Sequence, residues 1–129
     1  MPYTIYWLQE QRVICCQYHQ QVSLDELRET DHLTHEKLTQ NGPNTHLILD
    51  ASDLKKFPLD VGAITKSVSF YRNANLGYCL LITNSNIVNL LGATITHVIG
   101  KRLMIVRSRE EAILKLQQLD STVRLLELK

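Results

Sequence analysis

Asp31 and His35 stand four residues apart, a spacing that sets a carboxylate beside an imidazole on one helix face. A carboxylate that orients an imidazole makes a proton-transfer pair. The same residues also make a plain hydrogen-bonded pair at the rim of a core, because a helix turning about 100° per residue puts them on or beside the face of Leu24, Leu27 and Leu38. The rim pair is the preferred reading. His32, His35 and Glu36 are metal-ligand types, but they spread over too wide an arc of one helix to converge on an ion. No metal site is expected.

A second polar group lies further on. Ligands of open α/β sheets sit outside the carboxyl ends of the strands, which would gather His19, Asp50, Ser52, Asn84 and Ser108 into a shelf. Asp50 and Ser52 could there exchange hydrogen bonds with a ligand or partner. As turn residues they would bond the neighbouring backbone instead.

Other chemistry is missing from the sequence. No phosphate-cradling glycine loop, GxSxG or HExxH occurs, and none of the five glycines falls in a GxGxxG. The three cysteines form no CxxC, and Cys15 and Cys16 are strand neighbours that point to opposite faces, so all three read as buried apolar fillers. The expectation is a protein without catalytic residues and without a cofactor.

Fourteen basic against thirteen acidic residues give a net charge of +1 with no basic cluster, which argues against a nucleic-acid partner. No apolar run approaches the roughly 18 residues of a membrane span, and Met1 to Ile5 lack the features of a signal peptide, so the expected place is the cytoplasm. With 129 residues, 44% of them hydrophobic, one domain over 1–129 is expected.

The elements that must position these residues follow from patterning. Tyr3 to Leu8 and Arg12 to Tyr18 read as a β-hairpin around Gln9-Glu10-Gln11. Ser23-Leu-Asp-Glu26 is a capping box, and the helix it starts ends before Asn41-Gly42-Pro43. Thr45 to Asp50 is a buried strand, followed by a loop over Ala51 to Pro58. A second helix begins near Asp60 and carries Val61, Ile64, Val68 and Tyr71 at helical spacing. Tyr78 to Thr83 and Lys101 to Val106 are further strands, with a third helix over about 86–99 between them. Ser108-Arg109-Glu110-Glu111 opens the last helix. The order ββαβαβαβα makes an α/β fold with a mixed, mostly parallel sheet and an N-terminal antiparallel hairpin. Residues 121–129 fit an extra strand or a tail.

The apolar residues of the third helix, Leu91 and Ile95 among them, cover about half its circumference, wider than the roughly 100° that one core face needs. The surplus could line a pocket for a small apolar ligand, meet another helix or join a partner chain. A symmetric homodimer is expected through this helix or through Val123 to Leu128.

Leu49-Asp50-Ala51-Ser52-Asp53-Leu54, followed by Phe57, resembles the end of the third strand in the STAS family of anti-sigma-factor antagonists. The final strand running into Ser-Arg-Glu-Glu-Ala is similar to that family too. Leu54 to Leu59 and Asn75-Leu76-Gly77 resemble a STAS-like branch that also resembles the lipid-binding CRAL-TRIO fold. The resemblance implies a non-enzymatic interaction or regulatory module with a protein partner. An alternative is a carrier of a small apolar or lipid ligand. The regulatory branch carries Asp-Ser-Ser-Gly at the start of its second helix, with a serine that a kinase phosphorylates. Here the corresponding stretch is Pro58-Leu59-Asp60-Val61-Gly62, and no serine lies between Ser52 and Ser67.

Overall fold

The computed structural model describes residues 3–58, 60–84 and 103–124. Strands β1 (Tyr3–Gln9) and β2 (Val13–Gln21) form the hairpin, whose turn is closed by the Arg12 N–H donating to the Gln9 carbonyl at 3.0 Å. Helix α1 (Leu24–Asn41) begins with the expected capping box. The Glu26 N–H donates to Ser23 Oγ at 3.2 Å and the Ser23 N–H to the Glu26 carboxylate at 2.8 Å, satisfying two otherwise free donors. It stops at Gly42, whose φ of 121° is open to glycine and strained for other residues.

Strand β3 (Thr45–Lys56), helix α2 (Val61–Ser67), a 3-10 turn (Phe70–Arg72), β4 (Leu76–Ile82), β5 (Leu103–Val106) and α3 (Arg109–Leu119) follow. The sheet order is β1-β2-β3-β4-β5, antiparallel between β1 and β2 and parallel thereafter. This is the mixed α/β sheet expected from the alternation of patterns. One face buries Val13, Cys15, Ile48, Leu80, Ile82 and Val106 against Ala112, Ile113 and Leu116 of α3. The other packs Ile14, Leu47 and Cys79 against Leu38 of α1 and Phe70, and Cys16, Tyr18 and Val22 against Leu27 and Leu33. Each fully buried Leu or Ile contributes about 1.5–3 kcal/mol, so helices on both faces hold the sheet.

Strand ends shift by one to three residues, β2 reaching Gln21 and β4 starting at Leu76, and two differences from the sequence expectation are larger. β3 runs through Lys56 where a loop was expected after Asp50, because the far end of β2 pairs with it: His19 faces Asp53, Gln20 faces Leu54 and Gln21 faces Lys56. Ser52, Asp53, Lys55 and Lys56 are exposed, so the strand carries no burial signal there. Helix α2 ends at Ser67, although Val68 and Tyr71 keep the helical spacing. Val68 is extended and Tyr71 lies in the 3-10 turn. The cause is Asp31, which takes the backbone N–H groups of Ser69 and Phe70 for itself.

The third helix over about 86–99, with Leu91 and Ile95, lies outside the described residues, as do 125–129 of the tail. Among the described residues no helix is long and apolar enough to cross a membrane.

Candidate functional site

At the carboxyl end of the parallel strands, Asp50 and Ser52 do come together, with a cation that the sequence reading missed. Asp50 Oδ1 accepts from the Ser52 N–H at 3.0 Å and the Ser52 hydroxyl at 2.6 Å. Arg109, the first residue of α3, donates through Nη2 to Tyr6 Oη at 2.9 Å and lies 3.5 Å from Asp50 Oδ2 and 3.7 Å from Cys15 Sγ. The Asp50 side chain is 7% exposed and that of Arg109 is 35% exposed, so the ion pair sits at the rim of the core rather than in free solvent.

Register explains the grouping. Tyr6 faces Cys15 across the hairpin, Cys15 faces Ile48, and Gln17 faces Asp50, so these side chains lie on the α3 face of the sheet. Burial is the main influence on the Cys15 thiol and raises its pKa, against the Tyr6 hydrogen bond and Arg109. The Cys16 thiol is pushed up to about 12, also mainly by burial. Both stay protonated near neutrality, which removes the thiolate that nucleophilic chemistry requires. Burial works against the charge on Arg109, but the Tyr6 hydroxyl, Cys15 and Asp50 outweigh it and keep the guanidinium cationic. The arrangement presents a fixed charge and a hydroxyl at the sheet end, suited to hydrogen-bonding a partner.

The rest of the expected shelf is more dispersed. His19 Nε2 lies 2.9 Å from Thr4 Oγ1, Ser108 caps α3 by accepting the Glu111 N–H, and Asn84 is exposed beyond β4.

Asp31 and His35 build a second cluster on the other side of the sheet. Asp31 Oδ1 accepts the Ser69 N–H at 2.7 Å and the Phe70 N–H at 2.8 Å, while Oδ2 accepts the Ser69 hydroxyl at 3.1 Å. His35 Nε2 is 2.9 Å from Ser69 Oγ, the contact that a serine nucleophile makes with its base. The hydrogen bonds run the wrong way for that role. Asn73 accepts the Asn75 N–H through Oδ1, which turns its Nδ2 toward His35 Nδ1 at 3.2 Å. Nδ1 is thereby assigned as acceptor and Nε2 carries the proton, so Ser69 Oγ receives from His35 and gives its own proton to Asp31 Oδ2. The cluster is a brace that holds the 3-10 turn to α1. Asp31→Ala is expected to lower stability by about 1–2 kcal/mol through the lost backbone caps. Urea unfolding checks this, and a change below about 0.3 kcal/mol would contradict the brace.

Of the remaining metal-ligand types, His32 pairs with Glu36 at 3.1 Å on the exposed side of α1. Among the described residues no three His, Cys, Asp or Glu side chains are placed to hold an ion.

At the opposite, amino end of the parallel strands a buried histidine meets a partly buried carboxylate, a pair that the sequence reading passed over. His46, 3% exposed, has Nε2 at 2.8 Å from Asp120 Oδ2, and its Nδ1 accepts the Tyr78 N–H at 3.0 Å. A histidine inside the apolar run Thr45–Asp50 was the available signal. Burial alone would raise the Asp120 pKa, but the Thr122 hydroxyl, His46 and the Thr122 N–H together lower it from the usual 3.8 to about 2. A carboxylate whose pKa falls on folding stabilises the fold above its unfolded pKa and loses that contribution as pH drops through the folded value. Stability is therefore expected to fall by about 1–2 kcal/mol between about pH 4 and pH 2 from this group, after allowing for solvent screening. In Asp120→Ala that part of the acid-unfolding curve should flatten; an unchanged curve would reject the assignment.

A recess of about 330 Å³ lies where β2 and β3 end beside the start of α1, lined by Gln21, Val22, Ser23, Glu26, Lys56 and Phe57. Its lining mixes charges with only two apolar side chains.

No family model matches the chain, and no curated protein matches it in sequence. Solved structures do match in shape. A DUF3478-family protein with a SpoIIAA-like fold, from Shewanella loihica PV-4, superposes with a TM-score of 0.64 at 10% identity, over 88% of this chain and 91% of that one. The anti-sigma factor antagonist SpoIIAA in its unphosphorylated form gives 0.63 at 11%, over 90% and 96%. The Bacillus cell fate determinant SpoIIAA in its phosphorylated form gives 0.57 at 12%, over 88% and 98%. The chain has the SpoIIAA-like fold, the fold of the STAS resemblance.

Proposed function

We propose that this chain is a non-enzymatic interaction module that engages a protein partner with the carboxyl end of its sheet, around Asp50, Ser52 and Arg109. The observation that carries this reading is the superposition on an anti-sigma factor antagonist over nearly the full length of both chains. Such a protein is named for acting on another protein. The candidate groups support the same reading: the thiols are held protonated by burial, and the Ser69–His35 contact is oriented as a brace.

One structural relative exists in a phosphorylated form. In this chain the start of α2 is capped by Asp60, whose carboxylate accepts the Ala63 N–H at 3.1 Å. We propose that partner binding is not switched by a phosphoserine at that position.

Photo-crosslinking in cells tests the reading. A crosslinker placed at Ser52 should capture one protein partner that a crosslinker at Asn44, at the other end of the sheet, does not. Turnover of a small substrate with no protein adduct would overturn the proposal. Extra mass retained in native mass spectrometry would favour a ligand carrier instead.

A further inference from the structure

Strand β1 is an edge with its two faces occupied and, among the described residues, its rim open. On the α1 side, the Tyr3 hydroxyl donates to the Glu29 carboxylate and Lys37 Nζ stands 5.7 Å above the Trp7 ring. On the other side, Arg109 bonds the Tyr6 hydroxyl. The Gln9 side-chain amide donates to the Thr122 carbonyl at 3.0 Å and accepts the Arg124 N–H at 2.8 Å. Side chains are thus engaged on both faces. Among the described residues, nothing bonds the outward backbone groups of β1.

Natural edge strands are blunted by Lys, Pro, inward charges or central bulges, because an open rim is a template for another strand. Tyr-Thr-Ile-Tyr-Trp-Leu-Gln, residues 3–9, contains no charge, no proline and no glycine. Its one register shift falls at the far end, between Trp7 and Gln9. A rim that offers only backbone donors and acceptors takes an extended strand as its partner.

We infer that β1 pairs with β1 of a second copy of this chain, antiparallel about a two-fold axis, so that the sheet continues across a homodimer. An antiparallel two-fold places each donor of the strand opposite an acceptor of its copy, so the strand is its own complement. Neutrality removes the like-charge repulsion that a self-facing strand would otherwise meet. The contact uses the side edge of the sheet and leaves its carboxyl end, with Asp50 and Ser52, open to another protein.

Sedimentation velocity and backbone hydrogen exchange on the full chain, each at low and high micromolar concentration, test the inference together. The expected species has twice the 14.8 kDa chain mass, and the amides of residues 3–9 should gain protection as concentration rises. Thr4 is exposed and, among the described residues, its side chain bonds only His19, so Thr4→Lys should keep the fold while bringing charge to the rim. It should raise the dissociation constant at least about tenfold. Unchanged circular dichroism and exchange in β3 confirm that this variant is folded. The inference is overturned by a 14.8 kDa species at every concentration, by a dimer whose residues 3–9 exchange as freely as in the monomer, or by folded Thr4→Lys dimerising as tightly as the parent.

Discussion

Gly77→Ala is expected to destabilise the protein by about 3 kcal/mol, although it adds a single methyl group. A Cβ at this position would lie 2.4 Å from His46 Nδ1 and 2.7 Å from Cε1. The ring has nowhere to retreat. Its Nε2 is tied to Asp120, its Nδ1 holds the Tyr78 N–H, and the Tyr78 ring stacks on it with centroids 5.6 Å apart. Moving the imidazole would break these contacts and leave buried polar groups unpaired, a larger penalty than ordinary overpacking. The urea midpoint should drop with an unchanged slope. Adding His46→Ala to Gly77→Ala should cost less than the two separate losses combined, since the ring that meets the new methyl is gone. A Gly77→Ala protein within about 0.5 kcal/mol of the parent would show that the ring yields freely.

Arg109→Leu should cost about 2–3 kcal/mol. Removing one member of a buried ion pair typically costs about 3–5 kcal/mol, and the lower range applies because Arg109 is partly exposed and stands 3.5 Å from the carboxylate. Asp50 would keep both Ser52 bonds but lose its cation, and Tyr6 would lose a donor. Asp50→Asn in the Arg109→Leu background should restore part of the loss, because an amide needs no counter-charge. A coupling near zero in the double-mutant cycle would mean that the two residues are neighbours without interaction.

The parts of this fold that were legible in the sequence are those held by local bonds. Ser23 and Glu26 satisfy each other three residues apart, and Gly42 ends α1 through its own φ, so both ends of the helix were readable. The alternation of strand and helix patterns yielded the sheet class. The extension of β3 to Lys56 was not readable, because its cause is pairing with the end of β2. For the candidate site, Asp50 and Ser52 were readable from their place after an apolar run. Arg109 was not, since its partner Tyr6 lies 103 residues away. Asp31 and His35 were legible as polar groups on one helix face, but they stand 3.8 Å apart and meet through Ser69, 38 residues from Asp31, which no local pattern reveals. His46 and Asp120 are separated by 74 residues and share no pattern.

That last pair, with the Gln9 clasp on Thr122 and Arg124, also bears on the order in which the chain can fold. Gln9 is synthesised well before its partners, which lie 113 and 115 residues later. During synthesis the hairpin and α1 can form early, but the Gln9 amide stays in water until the segment after α3 arrives. Val123, buried in the same segment, likewise joins the core cluster of Val13, Cys15 and Leu116 only after α3 has been made. Contacts that close such long loops raise contact order and slow folding. A hairpin that forms during synthesis would present the β1 rim before these late contacts close, at the stage when growing chains on one messenger lie near each other.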